Sequence, residues 1–372
     1  MSLGSFHSGR ERDDEMPQQA GVTLLELVVS MAITLVVGAA AIVLLNPVHD
    51  AFRRESDAND TRQRMRVAAD VLRTGLRAAG SGVYATEHRG PLIQWLPPIL
   101  PRRMGRWSPD PPSTAFSSRV TILRIPGSAL QAPLARAMSS RGAPIELHTD
   151  PGCPAARAAC ALTPGAQALV FDRTGAWDPI VVTGVAGNAV GHWPPLLSKA
   201  YAPAEDAQIA AVEMQVLYHD SSRRQLRRYD GNQSDLPVVD EVVELELRYL
   251  ADPTPPRSPP PLGVEAATCV TSADGSPTLP ALGPTPAPLV ELPLSAFADG
   301  PFCGEPANRW DADLLRVRAV RVRLRVQARD PAVRGPDPAL FVNPGHASGS
   351  RLLVPDLAWD FQVAPRNLSL GR

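Results

Sequence analysis

Lysine is almost absent from this chain of 372 residues. Of its 37 basic residues only Lys199 is a lysine, so recognition of any acid falls to arginine and its planar, forked donor set. Aromatic residues make up only 5% of the chain, and the formal net charge is −1. Near-neutrality excludes a polycation that coats nucleic acid, and it equally excludes a strongly acidic, solvating chain. Catalytic signatures are missing as well: there is no G-x-S-x-G, no H-E-x-x-H, no Walker glycine loop and no dinucleotide fingerprint. The histidines are scattered, acidic pairs such as Asp240-Glu241 stand isolated, and Gly184, Gly187 and Gly191 mark a turn rather than a phosphate cradle. No enzyme, no metal and no cofactor are expected. Proline, by contrast, is abundant: forty residues, about twice the usual share. That composition disfavours long soluble helix bundles and points to strands joined by stiff, irregular loops.

Only one long apolar run occurs. Residues 22–45 read VTLLELVVSMAITLVVGAAAIVLL and contain a single ionisable side chain, Glu26. As a helix rising 1.5 Å per residue this run spans about 36 Å, enough to cross a hydrocarbon core of about 30 Å. The chain is therefore expected in a membrane at its N-terminus, with everything after Pro47 on one side. A carboxylate at mid-bilayer costs roughly 2.5–3.5 kcal/mol and seldom persists without a partner. Cleavage between Gly21 and Val22 would create an α-amine about one helical turn from Glu26. In a bundle, Glu26 of one subunit would then neutralise the Val22 amine of the next, satisfying both charges within apolar surroundings. An uncleaved signal anchor on a binding or enzymatic ectodomain is the reading from another class, and it leaves Glu26 unexplained. A secretory signal peptide is excluded by the length of the run, which exceeds a 7–15-residue h-region.

The segment Gly21-Val22-Thr23-Leu24-Leu25-Glu26, with the apolar tail after it, resembles the type III signal of type IV pilins and pseudopilins. The resemblance implies cleavage after Gly21 by a prepilin peptidase, N-methylation of Val22, and subunit alignment through Glu26 in a helical filament. Val22 stands where that family usually has phenylalanine. The leader, residues 1–21, is longer and more acidic than is usual; translation from Met16 would leave the leader MPQQAG. Residues 66–83, with Leu72, Arg73, Leu76, Arg77, Gly80 and Gly82, narrow the resemblance to PilW-type minor pilins of the type IV pilus. An α+β class is implied, with the type IV pilin fold: a long N-terminal helix, part transmembrane and part amphipathic, packed on an antiparallel β-sheet head with proline-rich loop insertions. Its divisions are 1–21 leader, 22–46 transmembrane or filament-core half-helix, 47–80 amphipathic half-helix, and 81–372 head, with a proline-rich insertion at about 251–310. Implied partners are other minor pilins, the major pilin, the prepilin peptidase/methylase and the inner membrane, with no specific nucleic acid. Implied localisation is the inner membrane as a single-pass protein with a periplasmic head, then the pilus filament, with roles in assembly, adhesion and twitching motility. A J-type pseudopilin of a type II secretion system shares the signal and stands as the alternative.

The residues themselves carry the rest. Gly38 and Pro47 should kink or loosen the helix, because glycine weakens a helix interior and proline removes a donor. Met65, Ala68, Leu72, Leu76 and Ala79 recur at three- and four-residue intervals as one apolar face. Gly80 and Gly82 supply the helix stop. Short strands are expected over residues 118–125, 167–171 and 179–186. Residues 212–218 and 225–229 flank a polar loop and predict a hairpin. Val243, Leu245, Leu247 and Tyr249 alternate with Glu244, Glu246 and Arg248, while Val320, Val322, Leu324 and Val326 alternate with Arg321, Arg323 and Arg325. If these two strands neighbour each other, their acidic and basic stripes oppose, each good pair adding roughly 0.2–1 kcal/mol. Left unpaired, the arginine stripe would instead offer a site for an anion. Residues 91–112 are expected as an extended surface loop, and residues 253–293 as an exposed proline-rich insertion. The four cysteines, Cys153, Cys160, Cys269 and Cys303, suggest disulfides in an exported head. Three pairings are possible; the economical one joins Cys153 to Cys160 and Cys269 to Cys303. Zinc is disfavoured because the spacing is not C-x-x-C.

Overall fold

The computed structural model describes residues 23–81, 96–126, 131–148, 162–172, 174–253, 288–300, 302–347 and 353–369. One α-helix, Leu24–Arg77, opens the chain, and seventeen antiparallel β-strands come after it among the described residues. The architecture is α+β. By contacts the chain divides between Glu55 and Ser56 into two units.

In the first unit the helix is predominantly apolar from Leu24 to Leu45 and continuous through Gly38 and Pro47. None of its large hydrophobic side chains between Leu24 and Leu45 is buried.

In the second unit the remaining helical turns belong to the head. Met65, Ala68, Leu72, Leu76 and Ala79, the predicted stripe, are all essentially inaccessible and join one continuous core with Ile122 and Leu217. At Gly75 the helix lies directly against the sheet. A Cβ there would lie 3.0 Å from Gln215 Oε1, 3.2 Å from Leu217 Cδ1 and 3.3 Å from Ile122 Cδ1. Substituting Gly75→Val is therefore expected to destabilise the head by about 1–3 kcal/mol through overpacking, outweighing the gain in helix propensity. A thermal melt at or above the native midpoint would contradict the close approach.

The helix stops where the glycines predict. After Arg77 comes a turn in which Gly80 has φ 68°, a left-handed conformation that costs other residues more. Gly80 N–H then donates to Leu123 O at 2.9 Å, and Ile125 N–H donates to Ser81 O at 2.7 Å. Asn367 Nδ2, from the closing turn of the chain, donates to Ala79 O at 3.2 Å. Gly82 lies outside the described residues.

Three larger sheets and a two-stranded ribbon, Phe302–Cys303 with Trp310–Asp311, build the head among the described residues. The first has five strands, in the order Ile99–Leu100, Arg119–Arg124, Glu213–Asp220, Gln225–Tyr229, Asp235–Asp240. Its central hairpin pairs Gln225 with Asp220 and Tyr229 with Val216, around the predicted polar loop. The second has four strands, Val290–Leu292, Val242–Ala251, Val317–Val326 and Leu357–Val363. The third has six, with Gln167–Phe171 and Trp177–Ala186 adjacent near its middle. Each expected strand is present.

The proline-rich segment from Leu96 onward departs from expectation. Instead of an extended surface loop, residues 96–102 are buried, and Ile99–Leu100 pairs with Ile122 and Thr121 as an edge strand. Leu96, Ile99, Leu100 and Met104 supply apolar side chains between the prolines and enter the core, and an edge is where a sheet tolerates proline. Residues 254–287 of the second proline-rich stretch lie outside the described residues. Its far flank returns to the fold, with Leu292 opposite Tyr249 and the Phe297 ring edge-on to Tyr249 at 5.3 Å.

Candidate functional site

The charged end of the apolar helix is the first place where sequence chemistry and geometry meet. Thr23 precedes the first helical residue, and its Oγ1 accepts from Glu26 N–H at 3.3 Å. Reciprocally, Thr23 N–H donates to Glu26 Oε2 at 3.4 Å. This is a capping box, Thr-x-x-Glu, in which two otherwise orphaned donors of the first turn are satisfied. The carboxylate also lies where the positive end of the helix dipole favours an anion. Sequence reasoning assigned Glu26 a charge role alone and passed over Thr23, although the spacing was readable. Downstream, Ser30 Oγ donates to Leu27 O at 2.9 Å and Thr34 Oγ1 to Ser30 O at 2.7 Å. The helix thus presents an apolar surface whose hydroxyls are satisfied internally, as an apolar environment demands. Gly21 and Val22 lie outside the described residues. Gly38 has no atom within 4 Å of an added Cβ.

The two charged strands of the head pair in the predicted way. Val242–Ala251 runs antiparallel to Val317–Val326, with Glu244 opposite Arg325, Glu246 opposite Arg323 and Arg248 opposite Arg321. Arg323 Nε lies 3.1 Å from Glu244 Oε1, and Arg325 Nε lies 3.1 Å from Asp356 Oδ2. Glu291 bridges Arg321 and Arg248 at 3.5 and 3.7 Å. The arginine stripe is therefore occupied by carboxylates of its own chain. An anion would have to displace them.

Cys303 is buried and disulfide-bonded. Cys153, Cys160 and Cys269 lie outside the described residues.

Two acidic clusters have no counterpart in the sequence pattern. Asp299, Asp311 and Asp313 bring one carboxylate oxygen each within 4.8 Å of the others. Burial pushes the Asp311 carboxyl up to about 6, opposed by N–H donors from Asp313 and Gly300 and reinforced by the charges of Asp313 and Asp299. Those two N–H groups, at 2.9 and 2.7 Å, occupy both Asp311 oxygens, and Asp313 pairs with Arg316. Asp311 and Asp313 are thus held by partners of their own, and Asp299 is exposed. The second cluster holds the single lysine: Lys199 Nζ lies 2.9 Å from Asp172 Oδ2 and 2.6 Å from Glu205 Oε2. The Asp172 side chain is completely buried, and burial pushes its carboxyl above the usual range against the opposing pull of Thr174 and Lys199.

Comparison with known proteins places the N-terminal segment. Residues 16–42 match the family model described as the prokaryotic N-terminal methylation motif. No curated protein and no solved structure matches the chain. The matched motif covers Gly21, Val22, the capped Glu26 and most of the exposed apolar helix, which is long and apolar enough to cross a membrane. With that motif at the head of an apolar helix and an antiparallel β-rich unit after it, this chain carries an N-terminal methylation signal of the kind found in type IV pilin- and pseudopilin-type proteins.

Proposed function

We propose that the protein is a minor pilin of a type IV pilus. The observation that carries this reading is the apolar helix of residues 24–45: it is exposed throughout, and its one carboxylate stands at its very start. Such a surface is costly in water and stable only in lipid or against other helices of its kind. Cleavage between Gly21 and Val22 exposes an amine, which is methylated on Val22. Glu26 then neutralises the amine of a neighbouring subunit, and burial of the apolar helices drives packing, with the heads outermost. Gly38 and Pro47 are the points at which the helix can loosen as it leaves lipid for the filament. Before assembly the protein resides in the inner membrane with its head in the periplasm. Its partners are the peptidase that processes it, the major pilin and other minor pilins. The turnover of a substrate has no part in this role. In the head, Cys269 joined to Cys303 would close the proline-rich insertion, with Cys153 joined to Cys160.

Mass spectrometry of the protein extracted from membranes tests the proposal. The expected first residue is N-methylated Val22, and a non-reducing peptide map of the same sample is expected to link the Cys269 and Cys303 peptides. An N-terminus upstream of Val22 would leave an ordinary membrane anchor and remove the basis for filament assembly. A different cysteine linkage would overturn the pairing alone.

A further inference from the structure

A cavity of about 220 Å³ opens in the head between the five-stranded and six-stranded sheets. Arg106, Trp193, Gln167, Asn232, Ile180 and Met214 are among the residues that line it. The Arg106 guanidinium lies 4.4 Å from the Trp193 ring centroid and 5.3 Å from that of Trp107, and both indoles are exposed. Stacking between aromatic faces uses the flat sides of a guanidinium and leaves its N–H donors pointing outward in its plane. Among the described residues no carboxylate pairs with it. Asn232 Oδ1 is buried and receives no hydrogen bond, a state that ordinarily costs about 1–3 kcal/mol.

These groups are held rigidly. Gly105 and Gly231 meet backbone to backbone: a Cβ on Gly105 would come within 2.6 Å of Gly231 O, and one on Gly231 within 2.5 Å of Met214 Sδ. Arg106 N–H donates to Gly231 O at 2.8 Å. Trp107 N–H donates to the Tyr229 hydroxyl at 3.0 Å. Asp230 Oδ1 accepts the N–H groups of Asn232, Gln233 and Ser234. Gln167 Nε2 donates to Asp230 O at 2.8 Å. The cavity wall is thus set in advance of any ligand, which lowers the cost of binding one.

We propose that this cavity binds one carboxylate-bearing sugar residue, a uronic or comparable acidic unit at the end of a glycan. Its carboxylate would take the in-plane donors of Arg106, bidentate recognition being what a guanidinium does best. A ring hydroxyl would donate to Asn232 Oδ1. The apolar C–H face of the sugar would lie against Ile180 and Met214, and the exposed indoles would receive the next unit. A peptide is the poorer match. The lining strands Gln167–Phe171 and Trp177–Ala186 already have a neighbour on each side, so no free edge remains for strand addition.

The test uses the full-length protein in detergent, with saturation-transfer NMR and tryptophan fluorescence as readouts. The probes are methyl glucuronide, methyl glucoside and N-acetyl-aspartate amide. Methyl glucuronide is expected to bind at least about tenfold more tightly than either of the others, one charge-assisted contact and one hydroxyl contact respectively separating them. Arg106→Gln is expected to abolish the preference over the glucoside and, independently, Asn232→Ala the preference over the aspartate derivative, each leaving the thermal midpoint unchanged. Equal binding of glucoside and glucuronide would overturn the role of Arg106. Equal binding of the aspartate derivative would overturn the sugar assignment, and no binding of glucuronide at 10 mM, a concentration of order ten times the mM affinities typical of single small contacts, would overturn the site.

Discussion

Glu26→Ala is expected to leave membrane insertion intact while reducing the protein in sheared filaments to a small fraction of its native amount. The substitution removes the only charge in the apolar run, so insertion into lipid is if anything favoured. Assembly, however, would bury a neighbour's Val22 amine without a counter-charge. A charge stranded in that setting costs roughly 2.5–3.5 kcal/mol on insertion scales, close to two orders of magnitude in partition between lipid and filament. The capping box gives this prediction its control. Glutamine caps a first turn as glutamate does, so Glu26→Gln keeps the hydrogen bond from Thr23 N–H but carries no charge. If Glu26 acts through charge, Gln fails like Ala. If it acts only as a cap, Gln assembles normally. Thr23→Ala loses the cap alone, about 1 kcal/mol, and should reduce incorporation only several-fold. Quantitative immunoblotting of sheared filaments against the membrane fraction reads all three variants, and native amounts of Glu26→Gln would end the charge-pairing account.

Lys199→Met is expected to be the most damaging single change in the head. It leaves Asp172, whose side chain is wholly buried, without its cation; Thr174 N–H and Oγ1 remain as donors at 2.9 and 2.5 Å. Breaking a buried pair from one side typically costs about 3–5 kcal/mol, on the order of 10 °C in a domain of this size. The deficit should depend on pH in a definite direction. Burial already raises the Asp172 carboxyl above its unfolded value, and loss of Lys199 raises it further. A group that holds its proton more tightly when folded loses stability as pH rises from its unfolded pKa through its folded one. The variant should therefore lie nearer to native at pH 5 than at pH 8. The double variant Lys199→Met with Asp172→Asn should recover most of the loss, since no charge is then buried. A single-variant midpoint within about 2 °C of native at pH 8 would show that the pair contributes little.

Much of this molecule was legible as one-dimensional pattern. The stripe from Met65 to Ala79 obeys the helical period and is buried as a unit, because a helix on a sheet has one face to hide. The alternation around Leu245 and Leu324 revealed two strands, and their opposite stripes made them partners before any register was visible. In the segment from Leu96 to Met104 proline density misleads, because four apolar side chains between the prolines outweigh it. Neither the cavity beside Arg106 nor the Lys199 cluster had a local signal. Each gathers side chains from strands and turns far apart in the chain, as does the bond from Trp177 Nε1 to Asn308 O at 2.7 Å. Sequence spacing carries no information about such meetings. The Thr23–Glu26 box, in contrast, was there to be read and was eclipsed by the charge question.

The way the helix leaves the head has a mechanical consequence. Ala79, Gly80 and Ser81 are stitched to Asn367, Leu123 and Ile125 respectively, so the end of the helix is clasped both to an interior strand and to the turn at Arg366–Ser369. A tug on the helix is met by its buried face from Met65 to Leu76 and, beyond it, by these bonds.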